Sequence, residues 1–437
     1  MDFRPELSWE FLSGDEITAK SVRAVRNHVR HVKEASPYYR EALFDVFPED
    51  IKSIDDIVKL PFTERTTLVE KTQSFIDVPP DRIAETVVTS GTTGSPLAFS
   101  LTAADIDRLT FNDALAFYSG GITNADRAQV CVSLDNMFIG GMSYYRGMMH
   151  VGANTSRIGV MPSDIHRHYF DLLHPTVIVG VPSFLIKLST EFSKPGSDNY
   201  MSSIKKIFCT GESIRKQDMQ LNGTGKTLED FFGAKAYSTY GNTELSISYC
   251  ECIAQNGGHC RPELVYTEIV DGNGAPVPDG TPGEIVATPL GVEGMPLVRY
   301  KTGDIAFRVA GSCACGRNSM RIGPILGRKS QLIKVKGTTV YPLAITGILD
   351  DISEIDDYII MLENDESLSD RVSLHAVTAP ANVEKISSRL RTELRVHVPV
   401  LISNMATILH YRGKSGKKAR IIDKRKHGVS AVRQSTV

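Results

Sequence analysis

Long apolar runs are missing from this sequence. None approaches the roughly 18 residues that a membrane-spanning helix needs, so no membrane partner is expected. An excess of one charge is missing too. Lys and Arg number 49 against 51 Asp and Glu, for a net charge of -2. That balance removes the global electrostatic case for nucleic acid or an anionic membrane as main partner. Residues 1–16 are mixed and charged, without the apolar centre of a secretory signal. No internal repeat is found. What is there is ordinary globular composition, 41% hydrophobic and 23% charged over 437 residues, which excludes disorder for most of the chain and points to two or three domains. The expectation is a soluble, cytoplasmic protein.

The seven cysteines are unevenly spread. Cys131 and Cys209 stand alone in apolar segments that read as buried strands, where a thiol behaves as a small hydrophobe. Cys250, Cys252, Cys260, Cys313 and Cys315 fall in two tight groups, and in a reducing compartment such clustering argues for metal before disulfide.

Along the chain, residues 15–44 carry helical spacing that Pro37 interrupts, and Pro61 with the polar residues after it reads as a connector. From about residue 85, short apolar runs alternate with amphipathic helical stretches, which predicts parallel strands joined by crossover helices. From Tyr266 to Phe307, shorter strands with Gly and Pro turns read as a β-rich subregion. A third regime begins near Lys329. The fold class expected is α/β: a large N-terminal α/β region of several subdomains over residues 1–327, and a small α+β domain over residues 328–437.

The clearest chemical signal is Thr89-Ser90-Gly91-Thr92-Thr93-Gly94-Ser95-Pro96. Its glycines let backbone N–H groups turn inward, and the hydroxyls of Thr89, Ser90, Thr92 and Thr93 can donate to phosphate oxygens, a nest for a polyphosphate. The plain alternative is a Ser/Thr/Gly turn. The Walker pattern G-x-x-x-x-G-K-[ST] is absent from this segment.

Further segments give the nest its setting. In order they are Tyr240-Gly241-Asn242-Thr243-Glu244, Arg299-Tyr300-Lys301-Thr302-Gly303-Asp304, Gly327-Arg328 with Lys336-Gly337, and Gly416-Lys417-Lys418. Together with the Thr/Ser/Gly loop, this series resembles that of adenylate-forming enzymes, the superfamily of acyl-CoA ligases and nonribosomal adenylation domains, over residues 85–425. Gly180-Val181-Pro182-Ser183 and Thr210-Gly211-Glu212 fit its intermediate strands. Val-Pro-Ser-Phe and Arg-Tyr-Lys-Thr-Gly-Asp most resemble the phenylacetate–CoA ligase branch, which includes deazaflavin-adenylating members.

The resemblance implies ATP-dependent activation of a carboxylic acid, with ATP and coenzyme A as further small-molecule partners and magnesium as a cofactor. In-line attack on the α-phosphate accumulates charge, so the site needs a cation, donors and exclusion of water. The resemblance gives Glu244 to Mg²⁺, a hard ion that prefers oxygen; Thr243 to the α-phosphate; and Asp304 to the ribose hydroxyls. It gives Lys417 the role of a mobile point charge between acyl carboxylate and phosphate, with Lys414 and Lys418 as neighbours able to take that role. Thr89, Ser90, Gly91, Thr92, Thr93, Gly94, Gly211, Glu212, Tyr240, Gly241, Asn242 and Arg328 become nucleotide-side residues. Lys336 and Gly337 become a loop on the coenzyme A side, reached by rotation of the small domain about a hinge near Lys329.

Three departures stand out: Ser95 where most members carry lysine, Lys329-Ser330-Gln331 where the hinge is usually acidic, and an extra lysine beside Lys417. Cys252, His259, Cys313 and Cys315 are expected to supply four tetrahedral ligands for a structural zinc, with Cys250 and Cys260 as spares and unliganded loop thiols as the alternative. A flat slot for an aryl or arylalkyl acid could take walls from Phe138, Ile139, Gly140, Gly141, Met142 and Tyr240, which core packing could equally employ. Adenylation without coenzyme A, with delivery to a carrier protein or AMP transfer, is the alternative, as is a nucleotide-binding protein without catalysis. A homodimer is left open. The basic stretch after Gly413 lacks the interleaved aromatics of a single-strand nucleic-acid binder.

Overall fold

The computed structural model describes residues 3–89, 96–135, 137–193, 203–335, 338–364, 370–394, 396–412 and 420–425. Ser90, Gly91, Thr92, Thr93, Gly94, Ser95, Lys336, Gly337, Lys414, Lys417 and Lys418 therefore lie outside the described residues. The chain divides into two compact units, Met1–Ile325 and Leu326–Val437.

After the short turns Pro5–Leu7 and Trp9–Phe11, the first long element of the first unit is the helix Gly14–Ala35. Ser13 starts it through a capping box with Glu16, and Pro37 opens the next helix, Pro37–Ala42, after a Ser36 cap. Val22, Val25, Val29 and Val32 recur every three or four residues, share one face, and are buried. They join a core with Leu43, Ile57, Phe75, Leu297 and Tyr300. Each such side chain contributes roughly 1.5–3 kcal/mol by leaving water.

Among the described residues of this unit thirteen strands follow: β1 Ile83–Val88, β2 Ala98–Thr102, β3 Arg127–Cys131, β4 Asn154–Arg157, β5 Val177–Gly180, β6 Lys206–Thr210, β7 Lys235–Asn242, β8 Ile247–Glu251, β9 Gly258–His259, β10 Val265–Val270, β11 Gly283–Pro289, β12 Tyr300–Ala306 and β13 Arg321–Ile322. β1 and β2 form an antiparallel pair. The large sheet runs β13-β9-β8-β7-β6-β5-β3-β4.

Its β4, β3, β5, β6 and β7 are parallel, with the helices Ile139–Val151, Ser163–Leu173, Pro182–Phe192 and Gly223–Phe232 between successive strands. The expected parallel alternation is thus only part of the sheet. β8, β9 and β13 run antiparallel at the other edge. The physical reason is chain length: residues 243–246 join β7 to β8, far too few for a crossover. β10, β11 and β12 pair antiparallel in the β-rich subregion.

In the second unit, Asp357–Asn364 and Asp370–Val377 pair antiparallel at the centre of a sheet, with Val400–Ile402 and Ile421–Asp423 parallel on its two edges. The helices Pro342–Leu349 and Val383–Leu394 contribute Ile345, Leu349, Ile386 and Leu390 to its core. Among the described residues no helix is long and apolar enough to cross a membrane.

Candidate active site and Cys/His cluster

Gly211, Tyr240 and Glu244 lie where β6 and β7 end, the carboxyl edge at which open α/β sheets hold ligands. Tyr240, on β7, donates its hydroxyl to Asp304 on β12 at 2.8 Å. Burial and the adjacent Asp304 push its phenol well above the ordinary tyrosine range, so it remains a donor. Gly303 sits at φ +74, a left-handed conformation that glycine adopts without a Cβ penalty. Asp304 N–H donates to the Thr302 hydroxyl at 3.1 Å, which fixes the strand just where its carboxylate leaves it.

Glu244 lies on the turn after β7. Asn242 accepts from Leu245 N–H at 3.1 Å, Thr243 carbonyl accepts from Ser246 N–H at 3.1 Å, and Ser246 takes a positive φ of 47. The turn is over-determined, so Glu244 is held in place. Its carboxylate accepts from Arg65 and, at 3.4 Å, from the Tyr300 hydroxyl. The same Arg65 donates to the Thr89 hydroxyl at 3.0 Å. Thr243 is half-buried beside it.

Arg65 was hidden in the sequence because it lies in the polar segment expected to be a connector. That segment is instead pinned along β12. Thr63 N–H donates to Arg299 carbonyl at 3.2 Å, Lys301 N–H to Thr63 carbonyl at 3.0 Å, and Lys301 Nζ reaches Glu64 at 2.8 Å. Arg299 anchors it from below, through the carbonyls of Val58 and Leu60 and a bidentate pair with Glu268 at 2.9 and 3.0 Å. A lone cation in a polar stretch has no local signature; only the pairing along β12 reveals it. Tyr300 was read as motif spelling and proves to contact Glu244.

Other expected residues are placed less directly. Gly211 follows β6 at φ +79. Glu212 accepts from Ser183 N–H at 2.9 Å and from its hydroxyl at 2.7 Å, at the start of the helix Pro182–Phe192. Gly241 leaves room for Tyr144, whose hydroxyl would stand 3.2 Å from an added Cβ and bonds Thr210 at 2.9 Å. Gly141 packs on the Ser133 carbonyl, too close for any Cβ, and Phe138 covers Gly140. Packing therefore already employs Gly140 and Gly141, whereas Phe138 is exposed and Ile139 and Met142 are half-buried. Arg328 is half-buried in the two-residue strand Gly327–Arg328 of the second unit.

At the β9–β13 edge, Cys252, His259, Cys313 and Cys315 place their ligand atoms within 4.8 Å of one another. Cys252 and Cys313 sulfurs are 3.6 Å apart, and Cys315 sulfur lies 3.5 Å from His259 Nε2. The opposite nitrogen, Nδ1, bonds the Ser319 hydroxyl at 2.9 Å, which donates to Glu10 at 3.1 Å. Burial, helped by Arg261, Arg317 and Arg321, holds the His259 ring down to about 2, so it is neutral. Cys250 and Cys260 stand apart from the four: Cys250 sulfur meets the Thr239 hydroxyl at 3.3 Å, and Cys260 belongs to the main core.

Known proteins resemble this chain in sequence and in fold. Phenylacetate-coenzyme A ligase of Thermus thermophilus is 27% identical over 98% of this chain and 100% of its own length. The ligase of the same name from Escherichia coli is 24% identical over 95% and 97%. In fold, a 2-hydroxyisobutyryl-CoA ligase in a postadenylation state with 2-HIB-AMP superposes with a TM-score of 0.83 at 23% identity, covering 94% of this chain and 90% of that one. ATP-bound MatB from Rhodopseudomonas palustris gives 0.58 at 18% identity, covering 75% and 65%. Residues 18–292 match the AMP-binding enzyme family, so the chain belongs to that family, on its adenylate-forming, phenylacetate–CoA ligase-like branch, and is an enzyme of the AMP-forming acid–CoA ligase class.

Proposed function

We propose that the chain activates an aryl or arylalkyl carboxylic acid with ATP and passes the acyl group to coenzyme A. The observation that carries this reading is the Tyr240–Asp304 pair beside the fixed turn bearing Glu244. An acid oxygen attacks the α-phosphorus while its bond to pyrophosphate breaks. The thiol sulfur of coenzyme A then attacks the acyl carbon, releasing AMP and a proton. Asp304 accepts from the ribose hydroxyls, Tyr240 orients Asp304, and Thr243 donates to the α-phosphate. Glu244 would hold magnesium, which supplies neutralising charge.

Lys417 steers the attacking carboxylate in the first step. Lys336 and Gly337 line the approach of the thiol in the second, after residues 328–437 rotate on residues 1–327. The names of the relatives favour phenylacetate-like acids.

The Cys/His cluster fits zinc. A tetrahedron with zinc–sulfur bonds of about 2.3 Å separates its sulfurs by roughly 3.8 Å, close to the 3.6 Å between Cys252 and Cys313. Ser319 fixes the ring orientation from the far nitrogen, as partners of metal-bound histidine usually do. Three thiolates and one imidazole would hold the ion and leave no position for a substrate, which would make its role structural.

The deciding experiment is pyrophosphate exchange across a panel of acids including phenylacetate, benzoate and 2-hydroxyisobutyrate, followed by assay of the coenzyme A thioester. Exchange strongest with an aromatic acid and a thioester product are expected. Exchange without thioester would replace the reading by adenylation alone, and no exchange with any acid would overturn it.

A further inference from the structure

A polyphosphate needs cations, and residues 89–96 contain neither lysine nor arginine. Arg65 stands at the entrance of that segment. Its guanidinium joins Glu244 to the hydroxyl of Thr89, the first residue of the run, at 3.0 Å from the latter. The side chain is 29% exposed and that of Glu244 10%, so the fork is neither sealed in the core nor loose in solvent. The neighbouring cation Lys301 is committed to Glu64, and Arg299 to Glu268. The segment that carries Arg65 is tied down by main-chain bonds to β12, so the charge is delivered to a fixed place.

We propose that Arg65 binds the β- and γ-phosphates of ATP, doing from the N-terminal segment what the loop itself has no side chain to do. This rests on the acid-activation reading above. Glu244 and the Thr89 hydroxyl hold the guanidinium at the phosphate end of the site. Its planar fork has five donors and can turn some of them toward phosphate oxygens while keeping others on its present partners. Because AMP lacks the β- and γ-phosphates, the contribution of Arg65 is specific to the triphosphate and to departing pyrophosphate.

The test compares ATP and AMP binding by calorimetry for wild type, Arg65→Ala, Arg65→Lys and the double variant Arg65→Ala/Ser95→Lys, each checked for an unchanged melting temperature. Arg65→Ala is expected to weaken ATP at least tenfold while AMP changes less than twofold, and to raise KM for ATP in exchange. Lysine at position 95 is expected to recover part of the ATP affinity. Equal losses for ATP and AMP would mean that Arg65 only holds the site's fold, a loss of ATP affinity seen with magnesium but not with EDTA would mean that it acts through Glu244, and unchanged ATP binding would remove it from the site; each of these results overturns the proposal.

If the alanine variant melts early, Arg65→Lys against Arg65→Gln decides: the charge-keeping variant should retain the preference for ATP and the neutral one lose it, whereas equal behaviour overturns the idea. Absence of acid-dependent exchange in wild type would strike the proposed function, while the ATP-to-AMP comparison would still judge Arg65.

Discussion

Arg299 belongs to the Arg-Tyr-x-Thr-Gly-Asp motif, yet its side chain is only 1% exposed and that of Glu268, its partner, 4%. Burial outweighs the pairing and raises the carboxyl of Glu268 above its ordinary value, so this ion pair has given up much hydration. Breaking such a pair strands a buried charge and costs about 3–5 kcal/mol. With an unfolding entropy near 2.1 cal/mol/K per residue, a unit spanning residues 1–325 would melt about 4–7 °C lower.

Arg299→Ala is expected to fall in that range, and Glu268→Ala near it. The double variant should cost much less than the sum, because no buried charge remains unpaired. It should not return to wild type, since the carbonyls of Val58 and Leu60 lose their donor. Those carbonyls lie on the segment leading to Arg65, so KM for ATP should rise in the same variants. Thermal melts arranged as a double-mutant cycle measure the coupling directly. Single variants melting within 1 °C of wild type, or strictly additive losses, would refute the reasoning.

Three further outcomes are expected. Burial lowers His28 from 6.5 to about 4; the unfolded chain therefore takes up a proton that the native one refuses, and stability present above pH 6.5 is lost as pH falls toward 4, by up to roughly 3 kcal/mol. Asp113, raised to about 6 by burial, acts in the opposite sense between about pH 4 and 6, so the quantity to measure is the difference in urea midpoints between wild type and His28→Gln at pH 7.5 and 5. Elemental analysis should find one zinc per chain, and Cys313→Ser should lose it and melt lower without changing the order of preferred acids, because metal binding is coupled to folding. Lys417→Ala should abolish adenylate formation but spare thioester formation from supplied acyl-adenylate, while Gly337→Leu does the reverse; equal losses in both half-reactions would sink domain alternation.

What the sequence made legible was whatever is local. The helical spacing over residues 15–44 and the interruption at Pro37 correspond to the first helices, and the apolar runs at Cys131 and Cys209 are buried strands. Tyr240, Glu244 and Asp304 were found by their motifs, and the structure brings their strands together. The antiparallel edge escaped notice because β8 is composed like a parallel strand and β9 is only the pair Gly258–His259; the short link after Asn242 is what betrays it. Arg65 escaped because its partners, Thr89 and Glu244, lie 24 and 179 residues away. Long-range pairing leaves no periodicity to read.

The tie between Glu10 and Ser319 spans 309 residues of chain. During synthesis at roughly 5–20 residues per second, Glu10 therefore waits about 15–60 s for its partner to leave the ribosome. Through that interval the turn at Trp9–Phe11 has no finished surface to dock on, and Arg261 and Arg317 must emerge before its carboxylate is neutralised. The segment around Glu10 is thus made long before its partners, and its tie to Ser319 forms only after Cys313 and Cys315 have been made.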